Sequence, residues 1–258
     1  MTTILLDQAA KAGARVVRFG ENESSDFRLI KVQLAGDTTV VHAMHGDAPL
    51  LFKVMSAGRH LAMNALGALA AADALGADTT VAARDLASWM PPAGRGTKET
   101  IVLDVVDDHL TLSLLDDAYN ANPASLAAAL EVLAASEPQD GVGRVAHGRR
   151  IAILGDMLEL GPAEAQMHAD IARLGALDSI DVVHCVGPRM QTLHDALPRA
   201  RRGEWRHGAP DMASDIHRFV DAGDVILVKG SLGSKVSLVV DAIRKLGHPL
   251  APAMKGSK

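Results

Sequence analysis

Two short apolar runs do most to limit what this chain can fold into. Ile151-Ala-Ile-Leu154 and Val225-Ile-Leu-Val228 carry no alternation of polar and apolar residues. Strands of that kind are covered on both faces, which is the situation of parallel strands between two helix layers. The surrounding sequence alternates accordingly. Strands are expected at Ile101–Val106, Leu110–Leu115, Arg150–Leu154, Asp181–Val186, Glu204–His207 and Asp224–Val228. Helices are expected at Pro123–Ala135, Pro162–Leu174, Arg189–Leu197, Met212–Ala222 and Ser234–Leu246. The fold class is therefore α/β, with an open, mostly parallel, doubly wound sheet that binds ligands beyond the carboxyl ends of its strands.

The chain upstream of about Pro92 reads differently. Small strands are expected at Arg15–Phe19, Phe27–Leu34, Thr38–Ala43 and Leu50–Val54, with a polar turn at Gly20–Ser25. A long helix follows from Arg59 to Leu75, and a shorter one from a Thr cap at Thr80 to Ser88. Pro91-Pro-Ala-Gly-Arg-Gly96 is the clearest break, because two prolines cannot sit inside a helix and two glycines form a flexible hinge. The expected domains are residues 1–92 and 93–250, with 251–258 as a tail.

Composition removes several function classes. Aromatic residues are only 3% of the 258, so the core is built from Ala, Leu, Val and Ile, which suits helices on a sheet. A formal net charge of −5 argues against a general nucleic-acid binder. The single cysteine, Cys185, excludes an internal disulfide and a thiolate metal cluster, and fits a reducing cytoplasm. On a buried strand it is expected to be inert. The histidines outside residue 60 show no metal-ligand spacing, so no metal site is expected in this chain. Met1–Asp7 has no signal-peptide pattern, and the apolar stretch Leu61–Ala77 is interrupted by Asn64 and Asp73, so no membrane span is expected.

Four clusters sit where such a sheet places a site. The first is Asp116-Asp-Ala-Tyr-Asn-Ala-Asn-Pro123, ending one strand and opening a helix, with Asn122 a natural cap and Pro123 suited to the first turn. Its carboxylates and amides suit ribose hydroxyls, a metal-bound water or a substrate carboxylate; they equally suit a polar turn held by side-chain hydrogen bonds. The second is Ile151–Gly161, in which Asp156 and Glu159 face a crevice or serve as caps and turn residues. The third, Val228-Lys-Gly-Ser-Leu-Gly-Ser-Lys235, is a glycine turn at an expected helix start, with Lys229, Gly230 and Ser231 placed to bind an anion or simply to form a tight turn. The fourth is Gly58-Arg-His60 with Asn64 on the same helix face, read either as nucleotide contacts or as satisfied core polar groups. Neither Val228–Lys235 nor Gly94–Glu99 has P-loop spacing, and no P-loop occurs in the 258 residues.

Taken in order, Gly-x-His-x-x-x-Asn, a Pro/Gly hinge with Arg95, Asp-Asp-Ala-Tyr-Asn-Ala-Asn-Pro, Leu-Gly-Asp-Met-Leu-Glu-Leu-Gly and Val-Lys-Gly-Ser resemble the Mur ligases of peptidoglycan synthesis. The segments Asp117–Pro123 and Gly155–Gly161 resemble the type that adds D-alanyl-D-alanine to UDP-N-acetylmuramoyl-tripeptide. The resemblance runs from about Gly13 to Leu246. It implies a Rossmann-like C-terminal ligase domain preceded by the back half of an ATP-binding central domain. It also implies ATP and Mg²⁺ as cofactors, an acyl phosphate on the tripeptide carboxylate, attack by the dipeptide amine, and work in the cytoplasm. Mg²⁺ and cationic groups would offset the charge on the transferring phosphoryl group.

By position, His60, Asn64, Arg95 and Asp117 resemble the family's nucleotide contacts. Asp116, Tyr119, Asn120, Asn122, Asp156, Lys229, Gly230 and Ser231 become candidates for the dipeptide. Relatives commonly carry an amide after the motif histidine, where this chain has Leu61. The P-loop, the Mg²⁺ ligands and the UDP-binding domain of relatives lie upstream of the resemblance, so the chain is expected to be inactive alone and to need that N-terminal portion as a partner. Two other readings remain: a sister Mur-type or folylpolyglutamate-type amide ligase, and a non-catalytic module that binds the dipeptide or a nucleotide.

Overall fold

The structure, a computed structural model, describes residues 2–249, and the chain divides into two compact units, Met1–Met90 and Pro91–Lys258. The tail expected at 251–258 lies outside the described residues.

The first unit opens with helix α1 (Thr2–Lys11) and continues through strands β1 (Phe19–Gly20), β2 (Phe27–Ala35), β3 (Thr38–His45) and β4 (Ala48–Val54) to helices α2 (Arg59–Ala74) and α3 (Thr79–Asp85). The four strands form one sheet in chain order, with β1 parallel to β2 and the rest antiparallel. Phe27, Val41, Phe52 and Val54 on one face of the sheet pack against Ala62, Leu66 and Leu69 of α2. The strand expected at Arg15–Phe19 shrinks to Phe19–Gly20. Because Phe19 pairs in parallel with Phe27, residue 15 would have to pair within the preceding turn, where β2 has not begun. The expected Thr cap of α3 is instead Asp78, whose carboxylate accepts the Thr80 and Val81 N–H groups at 2.8 and 3.1 Å. Helix α1 escapes the sequence pattern because Ile4 and Leu5 are exposed, so it has no buried stripe to read.

The second unit contains β5 (Thr97–Val102), β6 (Thr111–Asp117), α4 (Pro123–Ala134), β7 (Arg150–Gly155), α5 (Glu164–Asp170), β8 (Val182–Val186), α6 (Gln191–Ala196), β9 (Arg202–Arg206), α7 (Ala209–Asp215), β10 (Val225–Lys229), α8 (Ser237–Arg244) and β11 (His248–Pro249). Sheet order is β11-β5-β6-β10-β7-β8-β9. The five strands from β6 to β9 are parallel, and β5 and β11 add an antiparallel edge. Neighbouring residues of each inner strand feed opposite faces. Leu227 and Leu154 belong to the core on the side of Leu126 and Leu130 of α4, whereas Ile226, Val228 and Ile153 belong to the core on the side of Val239 and Ile243 of α8. The doubly wound, mostly parallel sheet is thus as expected.

Several boundaries move. The first strand of the sheet is Thr97–Val102 rather than Ile101–Val106, because the Asp104 carboxylate accepts the Val106 and Asp107 N–H groups and turns the chain; Val105 and Val106 are left almost fully exposed. The helix expected from Met212 starts at Ala209, where Pro210 occupies its first turn. The expected long helices at 162–174 and 234–246 are short α-helices flanked by 3₁₀ turns, and α8 begins only at Ser237. The hinge glycines are also not loose. Gly94 and Gly96 take φ values of 74° and 80°, and the Gly94 carbonyl accepts Tyr119 N–H while Gly96 N–H donates to the Asp116 carbonyl.

Candidate functional site

Strand β10 lies between β6 and β7, so the polar turns at the carboxyl ends of these three strands are neighbours. The chain reaches β7 from β6 by crossing over the place that β10 later fills. That reversal of strand order is where open α/β sheets bind ligands.

Lys229, the last residue of β10, is 2% exposed, yet its ammonium is satisfied: Nζ donates to Asp117 Oδ2 at 2.7 Å and to the Asn120 carbonyl at 2.8 Å. Ser231 ties the other two turns together. Its Oγ donates to the Ala121 carbonyl at 3.3 Å and accepts Leu158 N–H at 3.0 Å, while its own N–H donates to the Asp156 carbonyl at 3.0 Å. Gly230 is needed for close approach: a Cβ there would meet Gly155 Cα at 3.0 Å and Val236 Cγ2 at 2.9 Å.

Asp116 is buried, and Arg244 of α8 bridges it, at 2.9 Å, to Glu99 of β5. The hydrogen bond Arg244 donates to Glu99 outweighs burial and, with the attraction of Glu99 and Asp116, raises the guanidinium above its ordinary value, so it stays charged. Tyr119 and Arg95 are exposed at the rim, with the guanidinium carbon 4.4 Å from the ring centroid. Asn122 caps α4: its Oδ1 accepts Ser125 N–H at 2.9 Å, and Ser125 Oγ accepts Asn122 N–H in return. Asn120 is exposed, and its Oδ1 accepts the next residue's N–H.

The turn after β7 is more structural in character. Asp156 is buried, and its Oδ1 accepts Met190 N–H at 2.9 Å, with Arg189 3.7 Å from Oδ2. Burial pushes its carboxyl above the ordinary range, against the lowering effects of Met190 N–H and Arg189. This is the cap-and-turn role rather than a residue open to a crevice. Glu159 is exposed with φ of 63°, a conformation that costs a non-glycine residue about 1 kcal/mol. The helix expected from Ser234, after the Lys229-Gly-Ser231 turn, starts at Ser237, behind a 3₁₀ turn at Leu232–Ser234.

In the first unit, His60 and Asn64 both lie exposed on α2, so they are not core polar groups. The helix start is held by the buried Thr39, whose Oγ1 donates to the Ser56 carbonyl and accepts Gly58 N–H. Cys185 is fully buried, and burial pushes its thiol up to about 12, in keeping with an inert residue. Sequence reasoning missed Arg244, Glu99 and His168. Arg244 and Glu99 stand 145 positions apart, and only the topology brings them together.

A model of the Mur ligase, glutamate ligase domain matches residues 103–232. The chain belongs to the Mur ligase family. The match takes in all three turns described above. The UDP-N-acetylmuramoyl-tripeptide–D-alanyl-D-alanine ligase of Bacillus subtilis (strain 168) is 29% identical over 226 residues, covering 86% of this chain and 46% of the relative. The ligase of the same name from Escherichia coli (strain K12) is 28% identical over 247 residues, covering 93% and 49%. The solved structure of MurF ligase from Thermotoga maritima in complex with ADP shares the fold, with a TM-score of 0.71 at 21% identity, over 93% of this chain and 51% of that one. The chain spans about half the length of the curated relatives it matches. No described helix is long and apolar enough to cross a membrane.

Proposed function

We propose that this chain supplies the amine-substrate end, and part of the nucleotide contacts, of an ATP-dependent ligase that joins D-Ala-D-Ala to UDP-N-acetylmuramoyl-tripeptide in the cytoplasm. The observation that carries the reading is the convergence of Lys229 and Ser231 on the turn after β6 at the strand-order reversal, with Lys229 bonded to Asp117 and the Asn120 carbonyl at 2.7 and 2.8 Å and Ser231 to the Ala121 carbonyl at 3.3 Å. Relatives bearing that ligase name match 86% and 93% of the chain.

In this reading the exposed Tyr119 and Asn120 meet the dipeptide, and the buried Lys229 fixes the turn that presents them. Asp116 and Asn122 shape the turn from within, as do Asp156, Gly230 and Ser231 from the adjacent loops. Arg95 and Asp117 in the second unit, and His60 and Asn64 on α2, are the nucleotide candidates. Within the second unit Arg95 offers a rim cation for phosphate and Asp117 an acceptor for a ribose hydroxyl; the α2 pair, in the first unit, is a separate candidate with polar groups for a base. Bound ATP supplies the phosphoryl group that activates the tripeptide carboxylate. Mg²⁺ is a different matter. Among the described residues, Asp107, Asp108 and His109 form the one group of three with ligating atoms within 4.8 Å, and they are exposed at the β5–β6 tip, the opposite end of β6 from Asp117. That placement does not fit a phosphate-bound ion, and no role for Mg²⁺ is assigned to this chain. A phosphate-gripping loop, which the sequence does not contain, is needed in addition for turnover.

The test is amine choice. This chain, fused behind the N-terminal half of the Bacillus subtilis relative, would be given ATP, Mg²⁺ and UDP-N-acetylmuramoyl-tripeptide. D-Ala-D-Ala, diaminopimelate or glutamate would serve as the amine. Product with D-Ala-D-Ala alone is the expected result; preference for either amino acid would make the chain a sister ligase.

A further inference from the structure

We propose that His168, wholly buried behind the turn that follows β7, is a positioning residue that holds that turn in register with the turn after β10. It carries no exposed atom and stands outside every motif that marks the site. Its two ring nitrogens have partners of opposite kind. Nδ1 lies 2.7 Å from the Glu164 carbonyl, and Nε2 lies 3.1 Å from Met157 N–H. A carbonyl can only accept and a main-chain N–H can only donate. The ring is therefore neutral, with its proton on Nδ1 and its lone pair on Nε2.

The next link in the chain is Leu158, whose N–H points at Ser231 Oγ at 3.0 Å. That hydroxyl in turn donates to the Ala121 carbonyl beside Asn120, and Ser231 N–H donates to the Asp156 carbonyl. Residues 156–158 are thus held from behind by His168 and read from the front by Ser231. Helical spacing places Glu164 and His168 one turn apart on α5, so the anchor is itself part of a packed helix. Loss of the Nε2 acceptor would leave a buried Met157 N–H with no partner, and the turn would open to find one. What His168 holds follows from this geometry alone; what the turns are held for rests on the function proposed above.

Amide hydrogen exchange on the whole chain tests this, with three substitutions that separate the two contacts. His168→Gln can place its carbonyl oxygen where Nε2 sits, His168→Asn reaches only the Nδ1 position, and His168→Phe keeps volume but neither contact. The expected result is exchange of Met157 and Leu158 accelerated about tenfold or more in the Asn and Phe variants. Exchange should stay close to the original in Gln, with Ile153 on β7 unchanged in every variant. Equal protection at 157 and 158 in all four proteins would overturn the proposal, as would acceleration of Ile153 in parallel, which marks general destabilisation. A calorimetric titration with D-Ala-D-Ala follows on the same samples. Failure of the unsubstituted chain to bind would count against the proposed function and leave the exchange result to decide the role of His168.

Discussion

Lys229 and Asp117, 112 positions apart in sequence, form an ion pair of 2.7 Å at the carboxyl ends of adjacent parallel strands, with the lysine almost wholly buried. The pair is asymmetric. Removing the cation by Lys229→Met leaves a part-exposed carboxylate that water can reach, whereas Asp117→Ala strands a buried ammonium. We expect Lys229→Met to cost about 2 kcal/mol and Asp117→Ala about 3–4 kcal/mol. Urea unfolding monitored by circular dichroism measures both, and the reverse order would show that the ammonium reaches water by another route.

The Arg244 fork gives a second prediction. It joins Glu99 and the buried Asp116 across three elements, and Asp116 in turn holds Ala118 N–H through Oδ1 at 3.2 Å. Lysine cannot reproduce a fork that binds two carboxylates at once. Arg244→Lys should therefore lose about 1–2 kcal/mol and Arg244→Met about 3 kcal/mol, since the second leaves two carboxylates facing each other without a cation. Denaturant midpoints of the two variants check this.

How much of this was legible in the sequence depends on the range of the interaction. Ile151–Leu154 and Val225–Val228 announce parallel strands because burial on both faces is written into consecutive residues. Asn122 announces a cap because capping is local, and its Oδ1 bonds Ser125 N–H as expected. The positions of Arg244 and Glu99 carried no such signal, because the contact exists only once β5 has paired with β6 and α8 has packed behind them. Asp156 was ambiguous for a related reason. Its partner, Met190 N–H, lies 34 positions away, so its sequence neighbours cannot distinguish a turn residue from a ligand-facing one.

His184 predicts acid sensitivity. Burial pushes its imidazole down to about 4 from an ordinary 6.5, and its Nδ1 accepts Glu204 N–H at 3.0 Å, which requires that nitrogen to be unprotonated. The unfolded chain binds the proton more readily, so this contribution to stability is complete above about pH 6.5 and is lost as pH falls toward 4. It amounts to roughly 2–3 kcal/mol. His184→Gln should flatten the fall in unfolding free energy between pH 6.5 and 4; an unchanged slope would place the acid-sensitive group elsewhere.

Gly187 is a prediction about backbone. Its φ is 109°, and a Cβ there would run into the Asp156 carboxylate. Gly187→Ala should therefore destabilise by at least about 2 kcal/mol, from conformation and displacement of Asp156 together. Gly76→Ala is the control, since a Cβ there meets nothing and only its φ of 87° is strained. Thermal unfolding of the pair separates the two contributions.

ADP release is the most direct test of the proposed role in amide-bond formation. The chain would be incubated with ATP, Mg²⁺, UDP-N-acetylmuramoyl-tripeptide and D-Ala-D-Ala, first alone and then with the separately produced N-terminal half of the Bacillus subtilis relative. ADP release only in the second case, abolished by Asp117→Ala, is the predicted result. Sustained ADP release from the chain alone would contradict it, as would none from a mixture in which the two pieces are shown to associate.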